Sequence, residues 1–149
     1  MFKTRLISGI VLVAIALAVI ITGGNVLLSV MGIISLIGMF ELYRVFQIEK
    51  SVAGIVGYVA AIVFYLNLYF GFITDAMVLP LLFMIVLLAV YVFSYPKYKA
   101  DQIMACFFAL FYVAFMLSFI YQTRMLDGGK YLVWLIFLCS WGCDTCAYC

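Results

Sequence analysis

The chain has 149 residues, of which 70% are hydrophobic and 9% charged, and its formal net charge is +2. That balance excludes a soluble globular domain, and so small a positive excess calls for no nucleic-acid partner. Histidine is absent, which removes His-based acid–base catalysis, Ser-His or Cys-His nucleophile pairs and His-ligated metal.

The charges gather into short clusters. Between them lie uncharged runs from Leu6 to Phe40, Ser51 to Thr74, Ala76 to Pro96 and Gln102 to Thr123, each long enough for the roughly 20 residues of a spanning helix. Nearly every position in these runs is apolar, unlike the alternating segments of about ten residues in a membrane barrel. The expected fold class is therefore all-α, a polytopic transmembrane helical bundle of about six spans, forming a single transmembrane domain over residues 1–149. No soluble domain, internal repeat or long linker is visible.

Lys3 and Arg5 precede the first span, about residues 5–22. No small-x-small cleavage site follows, so the span is read as retained. Thr22-Gly23-Gly24-Asn25 then divides the first run, with turn formers suited to positive φ, and predicts a hairpin into a second span at about 26–46. The cytoplasmic end of that span carries Glu41, Arg44, Glu49 and Lys50. Glu41 and Arg44, at i,i+3, read as a solvated helix end with a weak ion pair, with a lipid headgroup or cytoplasmic domain as the sharper alternative.

The third span, about 52–72, repeats small residues at Ala53, Gly57 and Ala61, as the first does at Ala14 and Ala18, and such faces let helix backbones approach closely. Asn67 is expected to bond across to another helix, or else to lie near the outer interface. Pro80 falls in the first turn of the fourth span, about 77–95, where a missing amide hydrogen bond matters little. Pro96 follows its end. Tyr65, Tyr69, Tyr91, Tyr95, Tyr98, Tyr121 and Tyr131 lie mostly towards span ends and read as interfacial anchors. A fifth span is placed at about 103–122 and a sixth at about 131–148.

Basic residues set the orientation. With the N-terminus in the cytoplasm, the inner side collects Lys3, Arg5, Arg44, Lys50, Lys97 and Lys99 against Arg124 and Lys130 outside, as the positive-inside bias requires. The expected location is a bacterial-type cytoplasmic membrane. Lys97 and Lys99 are also candidates for a lipid-headgroup contact, since anionic lipid attracts basic loops by about 1 kcal/mol per residue, although topology alone accounts for them.

Asp144 carries the only formal charge between Lys130 and the C-terminus, after the apolar run Tyr131 to Cys143. That run covers roughly 20 Å as a helix, short of the roughly 30 Å of hydrocarbon, so Asp144 falls inside the membrane. A carboxylate there costs about 2.5 kcal/mol or more and marks a functional site by default. With water and phosphate oxygen, it suits Mg²⁺. Cys139, Cys143, Cys146 and Cys149 also invite a metal reading, but on one helix they fall within an arc of roughly 120°, which cannot wrap a tetrahedral ion. They are read as small buried hydrophobes.

The segment Trp134-Leu-Ile-Phe-Leu-Cys-Ser-Trp141-Gly-Cys-Asp144-Thr145-Cys-Ala147-Tyr148 resembles the phosphatidate cytidylyltransferase family, also called CDP-diacylglycerol synthases, where an apolar span ends in an aromatic-rich turn and D-T-x-A-Y. Phe2-Lys3-Thr4-Arg5-Leu-Ile-Ser-Gly9 resembles the family's basic lead, and Glu41-Leu-Tyr-Arg44 its sequence after the second span. The resemblance implies transfer of a cytidylyl group from CTP to phosphatidate, in contact with membrane lipid and with Mg²⁺ as cofactor. It makes Asp144 a metal-holding carboxylate, with Thr145 and Tyr148 shaping the pocket, and establishes no catalytic residue. A homodimer is left open.

The family continues with a G-x3-G-K segment, an S-P-K-K-type basic segment and further acidic residues. This chain stops at Cys149, so it is expected to be an N-terminal fragment without appreciable transferase activity. Two other readings stand beside this one: a non-enzymatic six-span transport or assembly subunit whose Asp144 pairs with another helix or relays protons, and a membrane lipid kinase using CTP.

Overall fold

In the computed structural model, which describes residues 2–75 and 77–148, the described residues form helices and no strand. Side chains of residues 2–10 and of Leu12, Trp141, Asp144, Thr145 and Tyr148 lie outside the described part. Six helices follow one another: α1 (Phe2–Thr22), α2 (Gly24–Val45), α3 (Val52–Phe70), α4 (Val78–Phe93), α5 (Ala100–Met125) and α6 (Gly129–Tyr148). Each expected span has its helix, so the fold is the all-α membrane bundle that the hydropathy pattern demands. Helices α2, α3 and α5 are long and apolar enough to cross a membrane, whereas Val13–Thr22, Val78–Phe93 and Gly129–Ser140 form shorter apolar helical stretches.

Local chemistry sets the ends. Gly23 and Gly24 both take positive φ, 62° and 53°, breaking the first apolar run where its turn formers stand. Ser51 caps α3, its Oγ accepting the Gly54 N–H at 3.0 Å, as N-cap serines do. Gly71 closes α3 in the left-handed region, its N–H donating to the Asn67 carbonyl, the usual glycine C-cap. Asn67 itself turns to the loop rather than to another helix. Its Oδ1 accepts the Ile73 N–H at 2.7 Å and its Nδ2 donates to the Ile73 carbonyl at 3.1 Å. This corrects the interhelical expectation, because a side-chain amide matches the donor and acceptor of one backbone residue at short range.

Two compact units divide the chain: Met31–Phe119, and Met1–Val30 with Ile120–Cys149. The boundary falls within α2 and within α5. In the first unit α3 packs against α4 and α5. The Ala53–Gly57–Ala61 face is buried as expected, and its lack of bulk admits Tyr43 of α2, whose hydroxyl occupies the space a Cβ at Gly57 would need. Gly32 likewise lets the Tyr65 ring approach, with ring atoms 3.6 Å from where its Cβ would stand. Ala14 and Ala18 are exposed, so the small-residue face of α1 differs from that of α3 despite the same spacing.

In the second unit the Arg124 Nε donates to the Ile20 carbonyl at 3.3 Å, and the guanidinium lies against Gly23. The α1–α2 turn and the end of α5 therefore share a side, as alternating spans require.

Candidate functional site

Short loops gather the basic residues of the first unit at one end. The Tyr98 hydroxyl accepts the Val52 N–H at 3.2 Å, and the Gln102 Nε2 donates to the Phe46 carbonyl at 3.2 Å. These two bonds tie the α2–α3 and α4–α5 loops together, which brings Arg44, Lys50, Lys97 and Lys99 to the same end of the unit, all exposed. Tyr98 is buried and thus a loop clamp, which corrects its reading as an interfacial anchor. Lys97 Nζ lies 5.6 Å from the centre of that ring, within cation–π range. Glu41 and Arg44 are both exposed, and among the described residues no ion pair joins them. The residue between them that the helix uses internally is Tyr43.

Beneath this rim lies a polar network inside the apolar core. Tyr43 is wholly buried; its hydroxyl donates to the Cys106 carbonyl of α5 at 3.3 Å, and its ring stands 5.1 Å from that of Tyr58. Tyr58 Oη is buried and has no hydrogen-bond partner among the described residues. Further along, the Tyr65 hydroxyl donates to the Ala114 carbonyl at 3.1 Å and lies 2.6 Å from the hydroxyl of the buried Ser35. Ala114 sits in a π-helical turn, Leu110–Phe115. Such a turn widens the helix and loosens its regular carbonyl ladder, so a hydroxyl from a neighbouring helix can take up a main-chain acceptor.

Tyr65 and Tyr121 are buried, while Tyr69, Tyr95 and Tyr131 are exposed. Burial within the protein removes the interfacial reading from Tyr65 and Tyr121, while the exposure of the other three is compatible with it. Position along a span cannot distinguish a tyrosine facing lipid from one satisfied within the protein. Tyr43, Ser35 and Cys106 were missed as partners for the same reason. The one sequence signal was that Tyr43 lies within Glu41-Leu-Tyr-Arg44.

Asp144, Thr145 and Tyr148 occupy the final turns of α6, in the second unit. The side chains of Asp144, Thr145 and Tyr148, the expected site residues, lie outside the described part. Lys97 and Lys99 belong to the first unit. Cys139, Cys143 and Cys146 are exposed on α6 with free thiols, rather than buried as expected; Cys149 lies outside the described residues. Among the described residues no group of three or more His, Cys, Asp or Glu side chains is placed to hold a metal ion. The donor chemistry at the end of α6 is a single carboxylate. This suits Mg²⁺, which is commonly held by one or two carboxylates together with water and substrate phosphates.

The model of the cytidylyltransferase family matches residues 3–149. No curated protein and no solved structure matches the chain.

Proposed function

The chain belongs to the cytidylyltransferase family, and from that premise we propose that it serves phospholipid synthesis as a phosphatidate cytidylyltransferase, converting CTP and phosphatidate into CDP-diacylglycerol and pyrophosphate. The observation that carries this reading is the family match across residues 3–149 together with Asp144-Thr145-x-Ala147-Tyr148 at the end of an apolar helix. The two substrates meet only where a lipid headgroup and a soluble nucleotide can both reach, and a carboxylate near a span's end lies at such a depth.

In the reaction an oxygen of the phosphatidate phosphate forms a bond to the α-phosphorus of CTP, while the bond from that phosphorus to the bridging oxygen breaks and pyrophosphate leaves. Asp144 would hold Mg²⁺ with water and nucleotide phosphate oxygens. When bound, the ion offsets charge on the reacting oxygens. Thr145 and Tyr148 shape the pocket beside it, and Lys97 and Lys99 meet lipid headgroups. The N-terminus lies in the cytoplasm, where CTP is available, which also places the rim of Arg44, Lys50, Lys97 and Lys99 on the inner side.

The test is Asp144→Asn, which keeps the shape of the side chain and removes its charge. In membranes carrying the complete protein, release of pyrophosphate from CTP in the presence of phosphatidate and Mg²⁺ is expected to fall at least 100-fold, while helix content by circular dichroism is unchanged. An unchanged rate would overturn the role of Asp144. CTP-dependent phosphorylation of a lipid alcohol, with CDP as the product, would replace the transferase by a lipid kinase.

A further inference from the structure

Helices α4 and α5 enclose an apolar groove of about 450 Å³, within the size range of sites that bury a small organic ligand. Its floor is Leu87 and Ile103, both buried, and its walls are Met84 and Leu88 on one side and Met104 and Phe108 on the other, all exposed. The aromatic wall is stiffened by stacking, Phe108 lying 5.0 Å from Tyr112 at an interplanar angle of 10°. From Ile103 to Phe111 the groove follows α5 for roughly 12 Å.

The end of this groove nearest the α4–α5 loop is cationic. Lys99 immediately precedes α5 and stands one helical turn from Ile103, and Lys97 is held against the clamped Tyr98 ring. The first-turn N–H groups of α5 add partial positive charge at the same end. Asp101, exposed in that turn, is the opposing carboxylate, and its Oδ1 accepts the Gln102 N–H. A second groove, of about 190 Å³ between α3 and α4, supplies the contrast. Leu79 and Leu82 line it near a loop whose one charged residue is the exposed Asp75. An apolar slot with a cationic mouth matches a molecule with a long apolar chain and an anionic head. A slot beside a carboxylate does not.

We propose that the α4–α5 groove holds an acyl chain of an anionic diacyl phospholipid whose phosphate is met by Lys97 and Lys99. The proposal rests on the membrane reading and not on the transferase reading. Phosphatidylglycerol carries the required phosphodiester charge but no terminal phosphate that could accept a cytidylyl group, so the two can fail separately.

The test uses tryptophan quenching by brominated lipids. In a Trp134→Phe, Trp141→Phe background, Leu88→Trp reports from the groove and Leu82→Trp from the contrast groove. Each is reconstituted in vesicles that mix phosphatidylcholine and phosphatidylglycerol, with one lipid brominated at a time. Leu88→Trp is expected to show about five-fold preference for phosphatidylglycerol, since two exposed lysines act in a screened setting. Lys97→Gln with Lys99→Gln should bring the preference to unity, and Leu82→Trp should show none. Equal quenching of Leu88→Trp by both lipids would make the groove ordinary lipid-facing surface and overturn the proposal. So would absence of quenching by either lipid, which would mean that a second copy or another protein covers it. Native mass spectrometry of the protein with unaltered tryptophans provides an independent check. Retained phosphatidylglycerol should exceed phosphatidylcholine, and the double lysine variant should lose that excess; equal retention of both lipids would count against the proposal.

Discussion

Gly57→Ala probes the contact on which α2 and α3 depend. A Cβ at residue 57 collides with the Tyr43 hydroxyl and comes within 3.0 Å of Tyr43 Cζ. Because Tyr43 is wholly buried, its ring has no open space into which to retreat. Displacing the hydroxyl breaks its 3.3 Å bond to the Cys106 carbonyl, worth about 1 kcal/mol. Overpacking adds about 1–3 kcal/mol, and the better helix propensity of alanine returns about 1 kcal/mol. The net cost is about 2 kcal/mol, roughly a 30-fold fall in the ratio of folded to unfolded protein. Tyr43→Phe alone should cost about 1 kcal/mol. Combined, the two changes should cost no more than Gly57→Ala by itself, since removing the hydroxyl relieves the closest contact, giving a coupling of at least about 1 kcal/mol. The assay is reversible unfolding in mixed maltoside–dodecyl sulfate micelles. It is followed by circular dichroism and by thiol labelling of the buried Cys106, with Cys139, Cys143, Cys146 and Cys149 replaced by serine. Strict additivity of the two single costs, or a Gly57→Ala protein as stable as its parent, would refute the packing described.

Tyr65→Phe removes the donor to the Ala114 carbonyl and the partner of Ser35. It should cost about 0.6–1.7 kcal/mol, the range found for hydrogen bonds between membrane helices, read as a shift in the same unfolding midpoint. Asn67→Ala should leave that midpoint within about 1 kcal/mol of the parent while accelerating hydrogen exchange at the Ile73 amide, which donates to Asn67 Oδ1. Unchanged exchange at Ile73 would refute the loop role. In membranes carrying the complete protein, chelation of divalent ions should stop pyrophosphate release and added Mg²⁺ restore it. Replacing Cys139, Cys143 and Cys146 by serine should leave the Mg²⁺ dependence unaltered, and a shift in it would bring the thiols into the ion site.

The helices were legible because the signals that bound them are local. Gly23-Gly24, Ser51 and Gly71 each have a backbone or capping role that follows from residue type, and all three act where the sequence placed a boundary. Burial was harder to read. Ala53-Gly57-Ala61 and Ala14-Ala18 carry the same spacing, yet only the first face is buried, because burial depends on a complementary side chain arriving from elsewhere in the chain. Here that side chain is Tyr43, outside the third span altogether. The tyrosines repeat the point. Their amphipathic rings suit a membrane interface, but equally suit a hydroxyl turned towards a carbonyl of another helix, and only the partner decides. No feature of residues 110–115 announces the π turn that makes the Ala114 carbonyl accessible to Tyr65. The candidate site divides along the same line. Asp144 was legible as a charge misplaced in an apolar helix, an inference that needs no partner. The groove beside Lys97 and Lys99 was not, because its walls come from two helices and its mouth from the loop between them. Topology explains why lysines stand in that loop; only the packing of α4 on α5 explains why an apolar slot opens beside them, and that conjunction of slot and charge is what separates a lipid site from a solvated helix end.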